Sequence, residues 1–368
     1  MKTIFKALFL FITIGISAQQ STSDSEVVTK ALQEKEALTK TSIIKNLSFT
    51  NIGPTVMSGR VADMAVNPED PTEFYVGYAS GGLWYTNNNG ASFTPLLDNS
   101  PTQNVGDIAV DWNNRTIWVG TGEKNSSRSS YAGIGMLKSK NQGKTWEHVG
   151  LSDSHHVSRI VINSENPEEV VVGVIGHLYS PNEERGVFKT IDGGKTWKKT
   201  LFINNDTGII DVVAAPENSN ILYAASWERE RKAWNFDGDG NNSAIYKSTD
   251  GGDTWKNISS NNGFRNGAGV GRIGLSVYDE NTVYALHDSQ FRRASEGKKK
   301  QGSSALTKED FKKMSKDEFL KLTDKKLNNY LKANRFQEKY SVVSVKKMIR
   351  SGAAKPIDLA KYVENANT

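Results

Sequence analysis

The chain has 368 residues, 37% of them apolar, with 32 Gly, 8 Trp and no Cys. That excludes a disulfide framework, a thiolate nucleophile and a lipidated N-terminal Cys, and leaves a core held by packing alone. The net charge of +5 is unevenly spread: residues 291–368 carry 20 Lys and Arg against 9 Asp and Glu, and the rest carries 26 against 32.

The N-terminus, "MKTIFKALFLFITIGISAQQ", places Lys2 and Lys6 before an apolar run and ends in Ser17 and Ala18. This predicts a Sec-type signal peptide over 1–18 and export to the periplasm, the cell surface or the medium. The run is too short for a membrane span, which needs about 20 apolar residues. Residues 19–45, around "SEVVTKALQEKEALTKTSIIKN", read as a charged linker or short helix without chemistry.

From 46 to 290 the chain repeats. Four copies of one motif, "TNNNGASF", "SKNQGKTW", "TIDGGKTW" and "STDGGDTW", end in Phe93, Trp146, Trp197 and Trp255, at spacings of 53, 51 and 58 residues. Each copy follows three short apolar segments, as in "VADMAV", "FYVGYA" and "GLWYT", with turn-forming stretches such as "NPEDPTE" between them. Four strands per unit, repeated in tandem with a period near fifty, predict the blades of an all-β propeller.

The motif then sits in the hairpin between third and fourth strands. Its first column reads Asn88, Asn141, Asp192, Asp250 and its second Gly90, Gly143, Gly194, Gly252. Asn can replace Asp in a turn but not as a catalytic acid, and Gly supplies positive φ, so both columns are read as structural. Phe93, Trp146, Trp197 and Trp255 are expected to pack blade on blade.

These repeats resemble the Asp-box, or bacterial neuraminidase repeat, of sialidase-like and sortilin-like propellers. The resemblance covers residues 45–290 and implies the fold far more strongly than an activity. The segment "GRVADMAVNPEDPTEFYVGYASGGLWYT" is also similar to the first blade of xyloglucan hydrolases, where an Asp before the Gly pair is catalytic; here that place is Ser80. Sialidase chemistry would require an Arg cluster; Arg60 precedes the first box, but without an Arg-Ile-Pro motif.

A fifth unit opens with "GVGRIGLSVYDENTVYALHD" and does not continue; residues 291–368 become basic and helical. Their lysines are interspersed with acids and apolar residues, which suits solvated helix faces and speaks against nucleic acid. Thr307 and Ser315 are predicted N-caps, each followed three residues on by an acid, and Gly352 is a stop signal. Closed propellers need about 4–8 blades, so the array is expected to be the front of a longer protein.

Chemistry is expected opposite the boxes, in the loops between second and third strands, because long loops on a rigid scaffold carry binding. With Arg60 they offer Arg128, Tyr131, His177, Tyr179, Arg185, Trp227, Arg229, Arg231 and Trp234 as candidate ligand residues, a set suited to sugar rings or protein side chains. The first strands align Asp63, Asp107, Arg159, Asp211 and Arg272 as a ring of alternating charge. Asp107, Asp211 and the loop acid Glu123 are the candidate carboxylates should the chain cleave glycosides.

"DGDGNN" at 237–242 has alternating oxygen ligands but not the spacing of a calcium loop. His155 and His156 are adjacent, and the other histidines are scattered, so no metal or cofactor is expected. The sequence therefore predicts an exported propeller binding a protein, peptide or glycan, with a glycoside hydrolase as the alternative.

Overall fold

The computed structural model describes residues 25–47, 59–259, 263–291 and 306–366. The signal-peptide stretch lies outside them. The chain divides into two compact units, Met1–Phe291 and Arg292–Thr368.

The first unit contains helix α1 (Ser25–Thr41), which buries no residue, and four four-stranded antiparallel sheets. Sheet one is β1 (Val61–Val66), β2 (Phe74–Tyr78), β3 (Gly82–Thr86) and β4 (Thr94–Pro95). Sheet two is β5 (Val105–Asp111), β6 (Thr116–Thr121), β7 (Met136–Ser139) and β8 (Glu147–His148). Sheet three is β9 (Val157–Ile162), β10 (Val170–Val174), β11 (Gly186–Thr190) and β12 (Lys198–Leu201).

The fourth sheet is β13 (Thr207–Ala215), β14 (Asn218–Glu228), β17 (Ile245–Ser248) and β18 (Lys256–Asn257). A small hairpin, β15 (Glu230–Arg231) with β16 (Phe236–Asp237), is inserted between β14 and β17. β19 (Val270–Val277) and β20 (Val283–Ser289) pair as a two-stranded sheet. Consecutive strands are neighbours in every sheet of four, which is the order of a propeller blade. The fold is thus an all-β propeller of four-stranded blades, and a helical region follows it.

The box turns have one geometry in all four blades. In the first, Gly90 N–H donates to Thr86 Oγ1 at 3.0 Å and Ser92 N–H to Asn88 Oδ1 at 3.0 Å; in the fourth, Gly252 N–H donates to Ser248 Oγ and Thr254 N–H to Asp250 Oδ1, both at 2.9 Å. Gly90, Gly143, Gly194 and Gly252 have φ between 80° and 91°, a region that glycine enters without steric cost. Trp146 and Trp197 reach the preceding blade, their indole N–H groups donating to the carbonyls of Leu96 at 2.8 Å and Val149 at 2.6 Å.

Blades also approach along the second strands. Gly77, Gly120 and Gly173 lie opposite Asp63, Asp107 and Arg159 in the sheet register. A Cβ on Gly77 would come within 2.8 Å of Val105 Cγ1, and one on Gly173 within 3.1 Å of Ile209 Cγ2, both on the next blade's first strand. The missing side chains let the first strands close up. Apolar clusters fill the blade interfaces; that between sheets two and three holds Trp118, Met136, Val157, Val172 and Phe188, each contributing about 1.5–3 kcal/mol by burial.

The second unit contains α2 (Lys308–Lys313), α3 (Lys316–Leu320), α4 (Asp324–Ala333), α5 (Val342–Ser351) and α6 (Pro356–Ala366). Thr307 and Ser315 close reciprocal capping boxes with Asp310 and Glu318, and Gly352 ends α5 at φ 82°. The unit has its own apolar core, including Phe311, Phe319, Leu327, Tyr330 and Ile349. No helix among the described residues is long and apolar enough to cross a membrane.

Candidate functional site

Each first strand carries a bulge just before its aligned polar position: register shifts fall at Val61/Asp63, Val105/Asp107 and Ile209/Asp211, and opposite Val157 and Arg159. Bulges re-aim side chains, and here they gather the charged column. Arg159 Nε donates to Asp211 Oδ1 at 3.0 Å, and its Nη1 lies 3.4 Å from Asp107 and 3.9 Å from Asp63. Lys124 Nζ donates to Asp107 Oδ1 at 2.8 Å and to the Ser158 carbonyl at 2.7 Å.

The other carboxylate oxygen of each Asp ties one blade to the next. Asp63 accepts from Ile108 N–H at 3.1 Å, Asp107 from Ile160 N–H at 2.8 Å, and Asp211 from Leu275 N–H at 3.0 Å. Burial pushes Asp107 up to about 6 against the pull of Lys124. Both of its oxygens are nevertheless engaged, as are those of Asp211. Beside the ring, the first strands line a cavity of ≈ 570 Å³ with Arg159 in its wall.

Glu123 is 1% exposed. It forms a two-pronged pair with Arg60, whose Nε donates at 2.7 Å and whose Nη2 also donates, and it accepts from Asn125 at 2.9 Å and Ser130 at 2.9 Å. Burial pushes its pKa up, but the hydrogen bonds from Arg60, Asn125 and Ser130 outweigh burial and hold it below the usual carboxylate range. Such a group is ionised near neutrality and is a poor proton donor. The loop is seated by Gly122, at φ 84°, where any Cβ would strike the His155 carbonyl.

The next two loops form a second cluster. Asn182 clamps it: its Oδ1 accepts from His177 N–H at 2.9 Å and its Nδ2 donates to the Asp153 carbonyl at 2.9 Å. Arg185, 2% exposed, donates to Asn182 Oδ1 and to the carbonyls of Asp206, His177 and Ser180 at 2.9–3.1 Å. His177 Nε2 lies 3.0 Å from Asp153 Oδ1. Burial raises Glu184, and the neighbouring Asp153 adds to the shift.

Arg229 is 3% exposed, and only its Nη1 is bonded, to the carbonyls of His177 at 3.4 Å and Leu178 at 3.3 Å. Its Nε and Nη2, which form one edge of the guanidinium, are buried without a hydrogen-bond partner, as is Arg231 Nε. Burial, then the neighbouring charges of Arg185 and Arg231, bring Arg229 down to about 9. Trp227 is core, its Nε1 donating to the Gly238 carbonyl at 2.8 Å, and Arg231 stacks at 4.9 Å over Phe236.

The structure therefore brings Arg60 together with Glu123, and His177 with Arg185 and Arg229. It leaves Arg128, Tyr131, Tyr179 and Trp234 exposed, Trp234 the most at 79%. The "DGDGNN" oxygens serve as staples: Asp239 accepts from Gly269 N–H at 2.6 Å and Asn241 from Ala268 N–H at 2.8 Å. Sequence reasoning missed Asn182, Lys124 and the β15–β16 hairpin. Asn182 stands in "SPNEERG" with nothing in its neighbourhood to mark it, because two of its partners are backbone groups of His177 and Asp153 brought to it by folding.

Compared by sequence with curated proteins, the chain has no match. Among solved structures it is similar to an ancestral GH74 enzyme at 19% identity, over 63% of this chain and 30% of that one, with a TM-score of 0.48. The GH74 xyloglucanase of Xanthomonas campestris matches at 16% identity, over 62% and 35%, with a TM-score of 0.44. YCF48 bound to D1 peptide matches at 12%, over 66% and 65%, with a TM-score of 0.42. The chain thus spans about a third of the length of the two GH74 structures. The family described as "Sortilin-Vps10: Sortilin, neurotensin receptor 3" matches residues 135–357. With more than half of its length matched, the chain belongs to the Sortilin-Vps10 family.

Proposed function

We propose that the chain is an exported ligand-binding propeller whose loop-rich face, opposite the box turns, receives a carboxylate-bearing ligand, foremost a protein or peptide and otherwise a glycan. The carrying observation is Arg229: a guanidinium edge that is buried, unpaired and crowded by two further arginines. Buried charges are stable when paired, and the Nε–Nη2 edge matches the two oxygens of a carboxylate. The exposed Trp234 on the same inserted loop, with Tyr179 and Tyr131 on other loops, offers the aromatic side chains that anchor such ligands.

Binding of short peptides with a free C-terminal carboxylate, compared with their amides and with acidic oligosaccharides, tests this reading. Preference for the free acid, lost in Arg229→Met, supports it; equal binding of acid and amide by both proteins refutes it. Glycoside hydrolysis remains the second reading, because burial pushes Asp107 into the range of a general acid. Release of reducing sugar from a polysaccharide, lost in Asp107→Asn with the fold retained, is the result that would favour it.

A further inference from the structure

We propose that Asp153, His155 and His177 form a binding site for one divalent transition-metal ion of the zinc class. One ligand atom from each lies within 4.8 Å of the other two. Two imidazoles and a carboxylate are the donor set that suits zinc and its neighbours, with bonds of about 2.0–2.2 Å. Bonds of that length set tetrahedral ligand atoms about 3.4 Å apart, so an ion would bring the more distant of these groups closer and open the 3.0 Å Asp153–His177 contact slightly.

The surroundings hold these donors in place. His177 Nδ1 is bonded to Ser180 Oγ at 3.0 Å, which leaves Nε2 directed at Asp153 Oδ1, 3.0 Å away. An oriented second ring nitrogen is how ligating histidines are fixed. Asn182 joins the backbones on either side, binding both the His177 N–H and the Asp153 carbonyl. His155 has φ 53°, and the bond from His156 N–H to the Ser154 carbonyl at 2.6 Å closes a tight turn around it. That turn brings the ring against His177, stacked with centroids 3.8 Å apart, from where a rotation of the His155 side chain would aim its in-plane lone pair at an ion shared with His177.

An independent observation points to a cation. Glu184 Oε2 is buried without a hydrogen-bond partner, and neither Glu184 nor Asp153 forms an ion pair with a Lys or Arg among the described residues. A divalent ion at the Asp153–His155–His177 cluster supplies the positive charge that these two neighbouring carboxylates lack. Arg185, close by, is occupied by four acceptors and takes neither carboxylate.

The test uses the untagged protein, stripped with a chelator and dialysed against CoCl₂ or ZnCl₂. The expected result is one Co²⁺ per chain with a visible ligand-field spectrum, displaced by Zn²⁺, and weakened ~100-fold or more in His177→Gln and in Asp153→Asn. His287→Gln, on the surface away from the cluster, should bind as the parent does. No bound metal, or binding that the His177 and Asp153 changes leave intact, overturns the proposal. If either variant fails to fold, X-ray absorption at the zinc edge of the parent decides: two imidazole nitrogens support the site, and one or none overturns it.

Discussion

The Asp107 carboxylate on β5 accepts a hydrogen bond from the backbone N–H of Ile160 on β9 at 2.8 Å, while its other oxygen holds Lys124 at 2.8 Å. One buried side chain therefore joins two blades and neutralises a buried cation. Asp107→Ala should destabilise the propeller by about 3–5 kcal/mol, the usual cost of breaking a buried pair, read from urea unfolding.

The same residue has a pH signature. Its folded-state value, pushed up to about 6, lies above the ordinary 3.8. Its contribution to stability is therefore fully present below pH ~4 and is lost as pH rises through about 6. The stability difference between the parent and Asp107→Asn should shift across that window. A difference that stays flat from pH 4 to about 7 would contradict the assignment.

The box turns make the opposite prediction. Thr254 Oγ1 and N–H hold Asp250 down to about 2, and hydrogen bonds from Thr196 hold Asp192 lower still. Stability from these groups is present above pH ~4 and is lost as pH falls towards about 2. Asn88 and Asn141 accept the same backbone bonds at 3.0 Å and 2.9 Å. Asp250→Asn should thus be nearly neutral at pH 7 and remove part of the acid sensitivity, whereas Asp250→Ala should cost about 1 kcal/mol or more at either pH. Thermal melts of the three proteins from pH 2 to about 7 check this.

These turns were legible because everything that shapes them lies within four residues: a hydroxyl, an amide or acid, and a glycine at fixed offsets. The caps at Thr307 and Ser315 were legible for the same reason. Blade order followed from the repeat. The site was less legible, since its contacts join residues far apart in sequence. Lys124 and Asp107 are on successive segments of one blade, yet their pairing depends on the bulge before Asp107. His155 and His156 do diverge, with ring centroids 6.5 Å apart, but His177 arrives from the following loop, and nothing in local pattern announces that.

Trp197 tests how blades are stitched together. Its indole N–H donates to the Val149 carbonyl at 2.6 Å, and its ring meets Trp118 edge-on at 6.3 Å. Trp197→Phe keeps an aromatic ring but removes the donor, and should cost about 1–3 kcal/mol because the carbonyl loses its partner. The change in urea midpoint, with an unchanged slope, is the measurement.

Arg185 and Arg229 are both buried, at 2% and 3% exposure, but they should respond in opposite ways to removal of charge. Arg185 satisfies Asn182 and three backbone carbonyls, so Arg185→Met strands four acceptors and should destabilise by about 3 kcal/mol or more. Arg229 bonds its carbonyls only at 3.3–3.4 Å and leaves Nε and Nη2 unpaired. Methionine of similar length there should be neutral or stabilising, since an uncompensated buried charge is relieved. A residue kept at a cost to stability is what a binding group looks like. If Arg229→Met instead loses as much stability as Arg185→Met, the guanidinium is a structural element and the carboxylate-binding reading fails with it.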